Sequence, residues 1–196
     1  VLEATVKDMP TPADLYPSVG YMVGTNDNWL RFTVQWVKDN STYRFVLWRS
    51  NREPIVGNTI NNPFANGSMN VKLVYANGTY YFYANSALVY TTTESVGSGA
   101  THVGLFNDWQ ITLTDWNYSS GRDAVQSYLG KELNVAEHVE VKINGESATV
   151  ASGKVNVLIG DKVTASVEAE EGKTFNIVLD GNGIETKQDN GKAVAE

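Results

Sequence analysis

The chain has 196 residues, 42% hydrophobic and 19% charged, with 22 acidic against 15 basic side chains and a formal net charge of −7. That balance speaks against a basic nucleic-acid footprint and mainly supports solubility. Cysteine is absent, which excludes disulfides and cysteine-based metal sites, and no apolar run approaches the ~20 residues of a membrane helix.

Aromatic residues are unevenly spread. All five Trp, and 19 of the 21 aromatic residues, lie in residues 1–120. Such a break in composition predicts two domains with different tasks. The charges agree: residues 1–120 carry 7 basic and 9 acidic side chains, residues 121–196 carry 8 and 13.

Period-two alternation dominates residues 1–120. Val1 to Lys7 reads as a strand, and Pro10, Pro12 and Pro17 punctuate the loop after it. Val19 to Gly24 is a short strand. Trp29 to Lys38 alternates clearly, with Leu30, Phe32, Val34 and Trp36 on one face and Arg31, Thr33 and Gln35 on the other. Asp39-Asn40-Ser41 turns the chain into a strand over Tyr43 to Arg49. Residues 50–68 read as a long polar loop. Met69 to Ala76 and Thr79 to Ala84 flank Asn77-Gly78, a strong hairpin signal. Asn85-Ser86 leads into Ala87 to Thr91. Thr101 to Phe106 and Gln110 to Trp116 close the series. Asn-X-Ser/Thr triplets at Asn40, Asn66, Asn77 and Asn117 are explained by turn chemistry alone.

Ser119 to Leu133 looks weakly helical, with Ala124, Val125, Tyr128 and Leu129 at helical spacing; residues 119–137 are read as a linker. Alternation resumes from His138: Val139 to Ile143, an Asn144-Gly145 turn, Lys154 to Ile159, a Gly160-Asp161 turn, Val163 to Glu168, Thr174 to Leu179 and an Asp180-Gly181 turn. The expected fold class is all-β: an antiparallel sandwich over residues 1–118, then a smaller one over residues 138–196.

The order VKLVYANGTYYFYANSALVYTTT (71–93), followed by THVGLFNDWQITLTDWNY (101–118), resembles the concanavalin A-like jelly roll of laminin-G-like domains, laminarinases and lectin-like modules of bacterial glycosidases. In that family the Val103-Gly104-Leu105-Phe106 stretch is a core strand and Asp115-Trp116 belongs to the last strand. Residues 138–196 resemble a bacterial immunoglobulin-like surface repeat, on Gly160-Asp161-Lys162-Val163 and Glu171-Gly172-Lys173-Thr174-Phe175. The usual Trp after that segment is missing. The resemblance implies a secreted or surface-attached bacterial protein, and the missing cysteines suit a Gram-positive source. Val1 opens in mid-pattern, so the chain reads as a fragment.

Glucanases of that fold need carboxylates at i, i+2 and i+5 on one strand, flanking one glycosidic bond. None of the nine acids in residues 1–120 shows that spacing. A non-catalytic carbohydrate-binding module with a spacer is therefore expected; the alternative is a structural or adhesion module with no sugar ligand. Sugar rings stack on aromatic faces, and Arg, Asn and Gln hold their hydroxyl rim. Strand parity nominates Trp48, Arg44, Arg31, Tyr81 and Tyr83 for one concave surface, with Trp109 and Trp29 at its rim. Trp36 and Trp116 are assigned to the core. No cofactor is called for, but Asn26-Asp27-Asn28 and Asn107-Asp108 can offer oxygens to a structural calcium. A glycan, and a neighbouring catalytic domain, are the expected partners.

Overall fold

Alternation of apolar and polar side chains makes each strand two-faced, so two sheets bury their apolar faces against each other. A computed structural model describes residues 1–96, 102–168, 177–179, 182–184, 187–189 and 192–195. Nearly all the regular secondary structure of the described residues is antiparallel β-structure, with one short helix. Residues 169–176, which include the Glu171–Phe175 motif and the start of the Thr174 to Leu179 strand, and the Asp180-Gly181 turn lie outside the described residues. Two compact units are present, Val1–Ala124 and Val125–Glu196.

Among the described residues of the first unit, ten strands make two five-stranded sheets. One holds β1 (Leu2–Asp8), β6 (Met69–Ala76), β7 (Thr79–Ala84), β8 (Ala87–Thr92) and β10 (Thr112–Tyr118), in the order β10-β1-β6-β7-β8. The other holds β2 (Ser18–Gly24), β3 (Trp29–Val37), β4 (Thr42–Arg49), β5 (Arg52–Ile60) and β9 (His102–Asn107), in the order β5-β4-β3-β2-β9. We call these the β1 sheet and the β3 sheet. The Asn77-Gly78 turn has both residues at positive φ, as a type I′ hairpin requires, and Asn85-Ser86 repeats that conformation.

Rings fill the space between the sheets. Phe32, Phe45 and Phe82 are fully buried. Phe45 meets Tyr90 at 4.6 Å and Phe82 at 5.2 Å, and Phe32 meets Tyr80 at 5.2 Å. Each such ring buries about 2–3 kcal/mol of apolar surface, and each well-placed ring pair adds about 0.5–1.5 kcal/mol. Tyr21 crosses the core from the β3 sheet, and its hydroxyl donates 2.7 Å to the Val71 carbonyl. Burial, with the Glu3 charge adding, pushes that phenol far above its ordinary pKa.

Two expectations fail here. Residues 50–68 are not all loop, since Arg52–Ile60 forms β5. It is an edge strand with register shifts against β4, and it carries Pro54. Edge strands tolerate Pro and show little apolar alternation, which hides them in a sequence. Trp116 is not core: it is 46% exposed. Asp115 sits at φ 53 and the β1–β10 register is broken beside it, so the parity of this edge strand slips. The Trp116 ring reaches Tyr21 at only 6.2 Å. Trp36, by contrast, is buried, and its Nε1 donates to the Pro12 carbonyl.

The second unit is leaner. Helix α1 (Arg122–Leu129) runs across the division between the units, and Val125 and Leu129, four apart, form its buried stripe. Gly130 follows it; a Cβ there would sit 2.2 Å from the Gln126 carbonyl oxygen. The stretch read as linker then becomes β11 (Gly130–Asn134), paired along its length with β14 (Lys154–Leu158). A further sheet includes β12 (Glu140–Ile143), β13 (Glu146–Ser147) and β15 (Val163–Glu168). Val141 of β12 clusters with Val155 and Val157 of β14, and Leu158 of β14 is buried too.

Because all five Trp lie in the first unit, their fluorescence reports on that unit alone. Phe82→Ala should lower its unfolding free energy by about 3–5 kcal/mol in a urea titration followed by Trp emission. Tyr21→Phe should cost about 1–2 kcal/mol, since it removes one buried donor and leaves the ring in place.

Candidate functional site

The face of the β3 sheet that points away from the core carries the richest set of polar and aromatic side chains. Register places them in rows. Trp48 of β4 pairs with Arg31 of β3, which pairs with Met22 of β2, which pairs with Gly104 of β9. The next row is Val46, Thr33, Gly20 and Phe106. A third row runs Arg44, Gln35 and Ser18. On the other side of the Arg31 row stand Trp29, Gly24 and His102.

Arg31 is the centre of this face. Its guanidinium carbon lies 4.0 Å from the Trp29 ring centroid and 4.5 Å from that of Phe106. Both distances fall within cation–π range. Its Nε is buried with no hydrogen-bond partner. Burial lowers the Arg31 pKa, and the charge of Asp108 works against that shift. Asp108 itself is engaged, accepting from the Ser18 amide at 2.6 Å and the Ser18 hydroxyl at 2.8 Å. Arg44 is held differently: its Nε and Nη2 donate to Gln35 Oε1 at 3.1 and 2.9 Å. Thr33 is buried although it faces away from the core, and its hydroxyl donates to the Val46 carbonyl at 3.0 Å.

Of the nominated residues, the fold brings Arg31, Arg44, Trp48 and Trp29 onto one face, and Trp109 lies just beyond β9, 42% exposed. Tyr81 and Tyr83 do not join them. They lie on β7, on the outward face of the β1 sheet, across from Val74 and Lys72. Parity tells which side of a strand a residue occupies; it does not tell which sheet the strand enters, and the chain changes sheets between β5 and β6. Around those tyrosines, Lys72 pairs with Glu3 at 3.2 Å. Burial raises the Tyr83 phenol above its ordinary pKa, with Tyr81 adding to the shift.

Sequence reasoning missed Phe106 as a surface ring. The jelly-roll resemblance puts the whole Val103-Gly104-Leu105-Phe106 stretch in a core strand. The even spacing of Phe106 from His102 carried the signal, because both residues share the outward parity of β9. Trp29 also lines a cleft of about 550 Å³ at the end of the sandwich, with Asp27, Asn28, Arg49, Asn51, Arg52 and Glu94 among its walls. There Glu94 pairs with Arg49 at 3.1 Å and Arg52 at 3.8 Å. Of the calcium candidates, Asp108 has both carboxylate oxygens engaged by Ser18, while the Nδ2 groups of Asn28 and Asn107 donate to the Val96 and Trp109 carbonyls and leave their Oδ1 atoms out of those bonds. Among the described residues, no group of three or more His, Asp or Glu is placed to hold a metal ion. None of their helices is long and apolar enough to cross a membrane.

No protein-family model matches the chain, and no curated protein matches it. Among solved structures, the chain is similar to scytalido-glutamic peptidase bound to a peptide-based transition state analog. The identity is 11% over 98% of this chain and 89% of that one, with a TM-score of 0.37. At that level the likeness carries no argument about fold family or chemistry.

Two glycines on the outward face should respond oppositely to Ala. A Cβ at Gly20 would sit 1.9 Å from the Phe32 carbonyl oxygen, whereas one at Gly104 would meet nothing within 4 Å. Gly20→Ala should destabilise the first unit by about 3 kcal/mol or more, and Gly104→Ala by less than about 1 kcal/mol. Urea titration by Trp emission separates the two.

Proposed function

We propose that the chain is a non-catalytic carbohydrate-binding module joined to a spacer domain, and that the outward face of the β3 sheet is its sugar site. The observation that carries this reading is the gathering of Trp48, Arg31, Phe106, Arg44 and Gln35 in adjacent rows, with Trp29 and Trp109 at the edges. Flat rings offer stacking surface to a pyranose, and the Arg side chains between them offer donors to its oxygens, with Gln35 holding Arg44 in place.

The finer fold assignment belongs to the same proposal. The first unit is taken as a concanavalin A-like jelly roll, on the motifs at residues 71–93 and 101–118. The second is taken as an immunoglobulin-like repeat of a bacterial extracellular or cell-surface protein, in which a glycoside hydrolase domain is a fitting neighbour. On this reading the fragment binds sugar and leaves hydrolysis to that neighbour.

A structural module is the second reading, and one observation favours it. Arg31 already covers one face of the Trp29 ring, and Thr33 and Val46 are buried, so the chain fills part of this face itself. The two readings part at the other two Trp. Affinity on an open sheet face should be weak, roughly micromolar to millimolar. A glycan array with the whole chain should give binders. Trp48→Ala and Trp109→Ala should then each weaken the best of them at least about fivefold, roughly 1 kcal/mol of stacking. Their melting temperatures should stay within a few degrees of the parent. Variants that fold and bind unchanged would remove this face as the site, and a silent array would favour the structural reading.

A further inference from the structure

Arg31 differs from the other arginines around it. Arg44 is satisfied by Gln35, and Arg49 by Glu94 and the Glu53 carbonyl. The Arg31 guanidinium makes no hydrogen bond and no ion pair among the described residues, although burial disfavours its charge. Two rings fix it in place, so its orientation is set before any ligand arrives. A guanidinium held flat and short of partners suits a planar anion, which it can meet with two parallel N–H donors.

Its surroundings fit the same kind of ligand. Trp48 is its direct cross-strand neighbour and supplies a ring at the distance of one strand. Gly104, two strands away in the same row, leaves open space above β9. Asp108, whose charge acts on Arg31, is held by both donors of Ser18 and forms no ion pair with the guanidinium. From these observations we infer that the face binds an acidic sugar, with the sugar's carboxylate against Arg31 and its ring against Trp48. This rests on the carbohydrate-binding reading and narrows it to uronic or sialic acid-type glycans.

Isothermal titration of the whole chain tests it with three probes: oligogalacturonate, oligoglucuronate and sialyllactose. Each is measured beside its own carboxyl-methyl ester, which keeps the shape and removes the charge. At least one acid should bind about ten- to hundredfold tighter than its ester at low salt, the range expected for a charge-assisted pair. Added salt should narrow that preference. Arg31→Gln should abolish it, and Arg31→Lys should restore only part, because an ammonium lacks the planar fork. The acid-to-ester ratio of the unaltered chain decides the matter even where Arg31→Gln unfolds. Equal binding of acid and ester would overturn the inference and leave sugar binding standing. So would binding of neutral glycans alone. Stronger binding of sulfated than of carboxylated oligosaccharides would overturn the carboxylate, and a folded Arg31→Gln that keeps the preference would overturn Arg31. A glycan array silent to neutral and acidic sugars alike would remove both this inference and the carbohydrate reading.

Discussion

The packing of Phe32, Phe45 and Phe82 between the two sheets is the constraint on which the rest of the first unit depends. These rings are fully buried and touch across the sandwich. Once Phe32 points inward, the two-residue repeat of a strand sends Arg31 and Thr33 outward. Register then carries that choice to the neighbours: Val46 and Trp48 on β4, Gly20 and Met22 on β2, Gly104 and Phe106 on β9. A slip of one residue would place Arg31 in the core and Phe32 in water. The candidate site is in this sense the reverse side of the core, fixed by the same contacts.

That reverse side is not an ordinary solvated surface. Thr33, Gln35 and Ser18 are buried there, and each has its polar group paired: Thr33 with the Val46 carbonyl, Gln35 with Arg44, Ser18 with Asp108. Buried polar groups that are paired cost little, while an unpaired one costs about 1–3 kcal/mol. The face therefore has a firm, satisfied floor, on which the larger side chains stand at set positions. Rigid placement of this kind lowers the ordering cost of binding.

How much of this could be read beforehand depended on whether local chemistry or tertiary pairing made the decision. Asn77-Gly78 placed β6 and β7 to the residue, because the turn type dictates its own sequence. Strand β3 was legible from its strict alternation. Arg31, Arg44 and Trp48 fell on one face because three consecutive antiparallel strands, β2 to β4, keep parity through short turns. Tyr81 and Tyr83 failed because sheet membership is a long-range choice that no local pattern records. Trp116 failed at a bulge, and β5 failed as a polar edge. Phe106 was hidden by its neighbours, since Val103, Leu105 and Phe106 read as one apolar run, although Leu105 alone of the three packs on the core and Val103 is exposed.

The two units solve stability by different means. The first spends rings on a wide core; among the described residues of the second, the buried side chains are the aliphatic Val125, Leu129, Val141, Val155, Val157 and Leu158, and turns add hydrogen bonds. Asp161 accepts from the Leu158 amide at 2.7 Å and from Asn144 Nδ2, while Asn144 accepts from the Lys162 amide, tying two turns together. Among its described residues, the ion pairs of Lys154 with Glu132 and of Lys192 with Glu140 and Glu168 lie at the surface and contribute little. Arg31 in the first unit is different. Its Nε is buried without a hydrogen-bond partner, and an unpaired buried donor costs about 1–3 kcal/mol. Cation–π contact with Trp29 and Phe106 offsets about 0.5–2 kcal/mol of that cost. Arg44 and Arg49 on either side of it are instead held by hydrogen bonds to Gln35, Glu53 and Glu94.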